Sequence, residues 1–372
     1  PKKMIIMNKF KYYFVLLLAG IAIVSCNKKD DDDDVVVTPV RDYAEQYKAD
    51  NDSIVKYLKN NYIKEVSVNF DITFEKITDP TTQTSIWDQT VYPLEHRDVY
   101  NRDVTYRVYY LTVRKGTGES PCNFDSVTVS YRGTLLNGTQ FDSSYGLARN
   151  FDLDVYAVNG GVIDGWGEIM PKFNVGTPNT PGSDGAITYD NYGVGAMFLP
   201  SGLAYYASSP SGIPSYSPLV FTFKLFALSR TDSEYIVSGG AKVVLGDGVP
   251  TYLEDINGDG YLYDQRDTVR FPNLPKELID DTDEDGIPDF YDFDDDGDGY
   301  TTRFEITKPA GAPVTGISLY YPYDPIPDNP ATPNVDESEL WGIPAFSATG
   351  EPDYTSPGRL RIHVDKDHHS AK

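Results

Sequence analysis

The chain has 372 residues, room for two or three domains, and its 40% hydrophobic and 13% aromatic content is enough to build packed cores. A net charge of −24 sets it against nucleic acid, whose binders carry a basic surface, and points to cations instead.

The first segment, 1–26, reads as a secretory signal peptide with Met7 as the expected initiator. Lys9 and Lys11 supply a positive start and Tyr12 to Val24 an apolar run of thirteen residues. That run is shorter than the ~20 residues a permanent membrane helix requires. It ends Ile23-Val-Ser-Cys26, which resembles the lipobox of bacterial lipoproteins; a plain signal peptide with an incidental cysteine is the alternative. The resemblance implies lipidation at Cys26 and attachment to the outer membrane, on the surface or the periplasmic face. Cys122, the other of two cysteines, then has no partner for an intrachain disulfide. Residues 27–40 hold five consecutive aspartates, Asp30 to Asp34, whose mutual repulsion makes an extended acidic tether.

Residues 41–108 form an N-terminal helix and strand extension. Tyr43, Tyr47, Ile54, Val55, Leu58 and Tyr62 fall near helical spacing between Arg41 and Ile63, with Asp52 or Ser53 placed to cap a second segment. From Val66 to Tyr110 the pattern alternates as strands do, at Val66, Val68, Phe70, Ile72 and Phe74. This part is expected to pack against or extend a central sheet and to aid homodimer formation. His96 stands alone and reads as a surface or structural histidine.

Three blocks organise the middle of the chain. In Val127 to Ser144, Val127, Val129 and Tyr131 alternate with polar residues, and Asn137-Gly138 supplies the positive φ pair of a tight hairpin. Gly161-Val-Ile-Asp-Gly-Trp166 leads into an apolar stretch of helix-forming length. Phe198-Leu-Pro-Ser-Gly-Leu-Ala-Tyr205 leads through a Ser/Pro/Gly loop to the closing strand Leu219 to Leu225. In this order the blocks resemble FKBP-type peptidyl-prolyl cis/trans isomerases, over residues 109–230. The resemblance implies an α+β fold, a twisted antiparallel sheet wrapped on one short helix. It also implies a pocket made of Tyr131, Phe141, Asp142, Phe151, Val162, Ile163, Trp166, Tyr205, Ile213 and Phe221.

Rotation about an Xaa-Pro bond requires neither nucleophile nor cofactor. Its barrier of ~18–20 kcal/mol arises from amide resonance, and a dry apolar site favours the twisted form over the charge-separated planar one. On that reading Trp166 is the floor under the proline ring and Phe141, Phe151 and Phe221 are walls. The Tyr205 hydroxyl and Ile163 N–H bind substrate carbonyls, and Asp142 faces the twisting amide. For each aromatic taken singly, ordinary core packing is the competing reading. Three departures from the family pattern stand out: Leu153 for a second phenylalanine, Tyr206 for a glycine, and an insertion from Thr177 to Gly195 placed to form a flap near the pocket.

Residues 231–308 are an acidic region. Between Asp247 and Glu305 there are 19 Asp/Glu against 4 Lys/Arg, a density that packs only with cations. Asp294-x-Asp296-x-Asp298-Gly299-Tyr300-x-Thr302-x-x-Glu305 matches the twelve-residue calcium loop, with ligands at positions one, three, five, seven, nine and twelve. Asp281, Asp283, Asp285, Asp289 and Asp292 resemble the tandem acidic repeats of thrombospondin-type proteins. A weaker loop, Asp255, Asn257 and Asp259, has Arg266 where the bidentate glutamate belongs. Calcium in these loops is expected to be structural, since Pro272, Pro275 and Pro288 oppose flanking helices; an acidic solubilising linker is the bland reading. Residues 309–372 form a Pro/aromatic-rich extension ending in His363, His368 and His369, read as an exposed polar tail.

The chain is thus expected to be an envelope prolyl isomerase acting on proline-containing polypeptide clients as exported proteins fold. The alternatives are a noncatalytic FKBP-like chaperone or binding module, and a calcium-dependent surface structural protein.

Overall fold

A computed structural model describes residues 39–369 apart from 184, 331 and 333. Cys26 and the acidic tether to residue 38 lie outside the described residues.

Helix α1 runs without a break over Tyr43–Asn60, because Asp42 caps it, accepting from the N–H groups of Ala44 and Glu45 at 2.9 and 3.0 Å. The second cap expected at Asp52 or Ser53 does not exist: both residues lie inside the helix, where the Ser53 hydroxyl donates back to the Ala49 carbonyl. Strands β1 (Asn61–Val66) and β2 (Ile72–Lys76) form a hairpin, and β3 (Leu94–Asn101) and β4 (Val104–Arg114) follow. Next come β5 (Ser126–Leu135), β6 (Gln140–Ser143) and β7 (Arg149–Asp152), then the short helix α2 (Asp164–Ile169). Strands β8 (Thr177–Pro178) and β9 (Tyr189–Asp190) pair with each other, and β10 (Gly193–Leu199) and β11 (Leu219–Ser229) complete the central part.

The main sheet has seven strands in the order β3-β4-β10-β11-β5-β6, with β7 also paired to β5, and every pairing is antiparallel. It therefore begins at Leu94, ahead of the boundary that the family resemblance suggests at 109. Period-two alternation sends side chains to two separate cores. On one face Tyr106, Val108, Met197, Leu199, Phe221, Phe223 and Leu225 surround Trp166 and Ile169 of α2. On the other, Tyr109, Leu111, Ala196, Phe198 and Val220 meet Ile54 and Leu58 of α1 and Ile72 of β2. The N-terminal segment thus does both things its pattern allows: β3 and β4 extend the sheet, and α1 with the β1–β2 hairpin covers its second face. The apolar stripe of α1 packs on its own sheet.

The insertion does not form a flap over the pocket. It folds into the β8–β9 hairpin, in which Asn179 N–H donates to Thr188 O at 2.8 Å. Tyr189 stacks on Phe226 with ring centres 5.8 Å apart, and Tyr192 meets the same ring edge-on at 4.8 Å. Tyr192 belongs with the α1-side core, so the hairpin is held at the sheet end away from Trp166. A local aromatic anchor decides its position.

Beyond β11 regular structure thins. Strands β12 (Tyr235–Ser238) and β13 (Ala241–Val244) form a hairpin, helix α3 is one turn (Thr302–Glu305), and between them lie three single 3-10 turns. Small aromatic cores hold the region, one of Phe124, Leu262, Phe290 and Tyr291, another of Val249, Ile306, Tyr321, Ile343 and Ile362. Of the three tail histidines His369 is exposed as expected and His368 half-exposed, while His363 is not. His363 is 3% exposed, against Tyr323, while His368 bonds Asp365 at 2.8 Å and His369 approaches Asp298 at 3.3 Å.

Candidate functional site

Trp166 lies in the sheet-facing core in the first turn of α2, which the extended N-cap residue Ile163 leads into. Four rings close on the indole: Phe151 and Phe221 at 5.2 Å, Tyr131 at 5.7 Å and Phe223 at 6.0 Å. Phe141 packs edge-on against Phe221 at 5.5 Å. Edge-to-face contacts of this kind are favourable because the positive edge of one ring meets the negative face of the next. Gly133 makes the assembly possible, since a Cβ there would stand 2.6 Å from Phe141 and 2.8 Å from Phe221.

The structure brings all the sequence-derived pocket positions to one cluster. Trp166, Ile213 and Phe221 are buried, and Tyr131, Phe141, Phe151, Val162, Ile163 and Tyr205 are half-buried around them. Asp142 sits at the exposed rim, where it accepts a hydrogen bond from the Tyr131 hydroxyl at 2.6 Å. Burial first, and then Asp142, pushes the Tyr131 phenol up, which keeps it a donor. Burial and the same carboxylate raise Tyr205. Among the described residues neither the Tyr205 hydroxyl nor the Ile163 N–H has a partner, so both are free to bind a peptide. The result is an aromatic hollow with a few polar groups at its edge.

A support missed by the sequence reading holds this site. Asp50 of α1 is buried and accepts from the Ser201 N–H and hydroxyl at 2.7 and 2.6 Å, and from Gln46 at 2.7 Å. Ser201 opens the turn that carries Tyr205. Tyr206, in place of the family's glycine, takes a left-handed φ of 48°. Its ring stacks on Tyr43 at 3.9 Å and its hydroxyl donates to the Arg41 carbonyl at 2.6 Å. Only contacts across some 150 residues reveal this; no local motif signals it.

The acidic loops form a second candidate site. Carboxylate oxygens of Asp294, Asp296 and Asp298 lie within 4.8 Å of one another, as do those of Asp281, Asp283 and Asp285. Glu305 faces the first set; burial and then Asp296, Asp298 and Asp294 push it up to about 9, the mark of carboxylates crowded without a counter-charge. Asp292 lies near Asp283 and Asp285. Tyr300 presents its ring to Phe304 and His369. Two expected ligands turn elsewhere. Asp289 accepts from the Thr282 N–H and hydroxyl at 2.8 and 2.6 Å, and the Thr302 hydroxyl lies against Asp247 and Asp295. In the third loop Asp255 accepts from the N–H groups of Gly258, Asp259 and Gly260, and Asn257 accepts from the Asp259 N–H. There Arg266 pairs with Asp264 at 2.8 Å, and buried Asp280 faces Asp255 and Asp259.

Comparison with known proteins matches the first site. The family model for FKBP-type peptidyl-prolyl cis-trans isomerase covers residues 118–226. The curated relative FkpA of Escherichia coli is 36% identical over 118 residues, 31% of this chain and 36% of its own. The peptidyl-prolyl cis-trans isomerase Mip of Coxiella burnetii is 31% identical over 32% of this chain and 44% of its own. A crystal structure of Escherichia coli FkpA, 34% identical, aligns over 33% of this chain and 48% of that one with a TM-score of 0.26. The chain thus spans less than half the length of these relatives. A second family model, BamM C-terminal, matches residues 246–334, across the acidic loops. Residues 118–226 are therefore an FKBP-type domain within a longer chain.

Proposed function

We propose that the protein is a peptidyl-prolyl cis/trans isomerase that acts on proline-containing segments of polypeptides. The observation that carries this reading is the convergence of Phe151, Phe221 and Tyr131 on Trp166, with the Tyr131–Asp142 pair at the rim. A proline ring entering this hollow leaves water. The planar amide's charge separation loses its solvation there, while the twisted form, with a single C–N bond, does not depend on it. The Ile163 N–H and Tyr205 hydroxyl orient the flanking carbonyls, and no proton or electron pair is transferred to the protein.

The acidic loops, in this reading, hold structural calcium through Asp294, Asp296, Asp298 and Glu305 and through Asp281, Asp283, Asp285 and Asp292. Their hard oxygen ligands fit that ion's preference for six to eight oxygens. The relative named outer membrane protein MIP of Legionella longbeachae supports an envelope location, with Cys26 as the lipid anchor.

Protease-coupled turnover of a proline-containing tetrapeptide tests the central claim. The wild type should accelerate cis-to-trans conversion. Asp142→Ala, at an exposed position, should fold normally and lose about tenfold, the loss of a hydrogen bond to a charged group worth ~1.5 kcal/mol. A wild type that binds the peptide without accelerating its isomerisation would leave a noncatalytic binding module instead.

A further inference from the structure

Asp247, Glu254 and Asp295 come from three separate segments: the end of the β12–β13 hairpin, the residue after the Thr251–Leu253 turn, and the second position of the Asp294 loop. One oxygen from each lies within 4.8 Å of the other two. All three are sealed from solvent, at 0%, 4% and 2% exposure. Both oxygens of Glu254, both of Asp295 and Oδ2 of Asp247 have no hydrogen-bond partner among the described residues. A neutral group points to the same place: the Thr302 hydroxyl, 0% exposed and without a partner of good hydrogen-bond geometry among the described residues, lies against Asp247 and Asp295 and favours their charged forms.

Such an arrangement cannot stand on protein atoms alone. An uncompensated buried carboxylate is strongly destabilising, and three together oppose folding unless protons or a cation neutralise them. Arg303 acts on Asp247, but the strongest charges beside Glu254 and Asp295 are further carboxylates, among them Glu234 and Asp289. The neighbouring set of Asp232, Glu234 and Asp247 shows the contrast. There Asp232 accepts from the N–H groups of Asp247 and Gly248, each at 3.1 Å, and Glu234 also accepts from Asp247 N–H at 3.1 Å. Amides meet most of that demand; among the described residues no amide or cationic side chain bonds Glu254 or Asp295.

We propose that Asp247, Glu254, Asp295 and the Thr302 hydroxyl form a buried calcium site, distinct from the acidic loops. The free oxygens suit the ion. Glu254 and Asp295 can each bind through two, and Asp247 Oδ2 and Thr302 Oγ1 add one apiece, reaching the six that calcium requires. Opposite ligands around calcium, at ~2.3–2.6 Å from the metal, stand about 4.6–5.2 Å apart, which accommodates the observed spacing. Magnesium, which keeps several waters, finds no room for them in a set this closed. No sulfur or imidazole is present to favour a softer metal. Asp295 is the telling residue: the loop motif uses the aspartates on either side of it and sends this one inward. The ion would clamp the hairpin, the turn and the loop, joining residues far apart in sequence.

The site depends neither on isomerase activity nor on ions in the loops, and the experiment separates it from both. Crystals of the wild-type chain grown with terbium chloride should show an anomalous peak about 2.3–2.6 Å from Glu254 and Asp295 oxygens. Absence of that peak, whatever appears in the loops, overturns the proposal. In solution, native mass spectrometry of the full chain with calcium chloride should count one ion fewer for Glu254→Gln than for wild type. Asp296→Ala should also lose one, and the double variant two. Should Glu254→Gln fail to fold, Asp295→Asn, which leaves every loop ligand intact, is counted in its place. A count equal to wild type in the folded variant overturns the proposal as well.

Discussion

The central domain and the acidic region bury polar groups in opposite ways. In the first, buried charge finds protein partners. Asp50 is held by Ser201 and Gln46, Glu168 pairs with Arg97 at 2.9 Å, and Asp125 pairs with Arg230 at 2.6 Å. In the second, Glu254, Asp280, Asp295, Asp296 and Glu305 keep oxygens without a hydrogen-bond partner among the described residues. Packing and paired charge hold one region together; the proposal for the other is that cations meet its crowded oxygens. The difference teaches that stability in the two parts should respond to different solution conditions.

Removing calcium is the strongest way to separate them. Free calcium at a hundred times the dissociation constant adds ~2.7 kcal/mol for each ion bound only by the folded state. EDTA should therefore release hydrogen-exchange protection across residues 247–305 while strands β4, β10 and β11 stay protected. Equal loss in both regions, or in neither, would erase the contrast.

The complementary break is made from within the central domain. Asp50→Ala leaves the Ser201 N–H unpaired in the core, at a cost of ~1–3 kcal/mol. It should lower the urea midpoint with or without calcium, and it should reduce turnover, because the freed turn carries Tyr205. An unchanged midpoint would show that α1 does not brace the Tyr205 turn.

Acid sharpens the comparison from the C-terminal side. Burial, and then Arg361 and Arg359, hold His363 down to about 3. The unfolded chain, with an ordinary histidine near 6.5, takes up the proton first. Stability is thus fully present above about pH 6.5 and falls as pH drops towards the folded value, by ~2 kcal/mol at pH 5. His363→Phe should flatten this slope in a pH series of thermal melts at saturating calcium; a slope equal to wild type would acquit the histidine.

The smallest effect is confined to the pocket. Tyr205→Phe removes one neutral hydrogen bond, ~0.5–1.5 kcal/mol. Turnover should fall several-fold with the melting temperature unmoved. Full activity would mean that the hydroxyl does not hold substrate.

What could be read beforehand follows from what is local. The alternation in Val127 to Tyr131 and Leu219 to Leu225 specifies strands because side-chain direction acts within a few residues, and the β5–β6 hairpin forms where expected, although Gly138 alone of the Asn137-Gly138 pair takes a positive φ. The ring cluster around Trp166 was legible through its resemblance to a known family, and the acidic loops through ligand spacing along one segment. Other features escaped because their determinants are spread along the chain. The insertion went to Phe226 and not over the pocket, since Tyr189 and Tyr192 found an aromatic partner there. His363 became buried because the tail folded back onto Tyr323.

By itself, then, the sequence determined the strand pattern, the aromatic character of the pocket and the oxygen-rich loops, all properties of neighbouring residues. Tertiary structure alone decided that Asp50 would brace the Tyr205 turn and that Asp247, Glu254 and Asp295 would share one dry space. The physical reason is that burial is collective: whether a carboxylate is a solvated ornament or an unmet charge depends on what the rest of the chain packs over it.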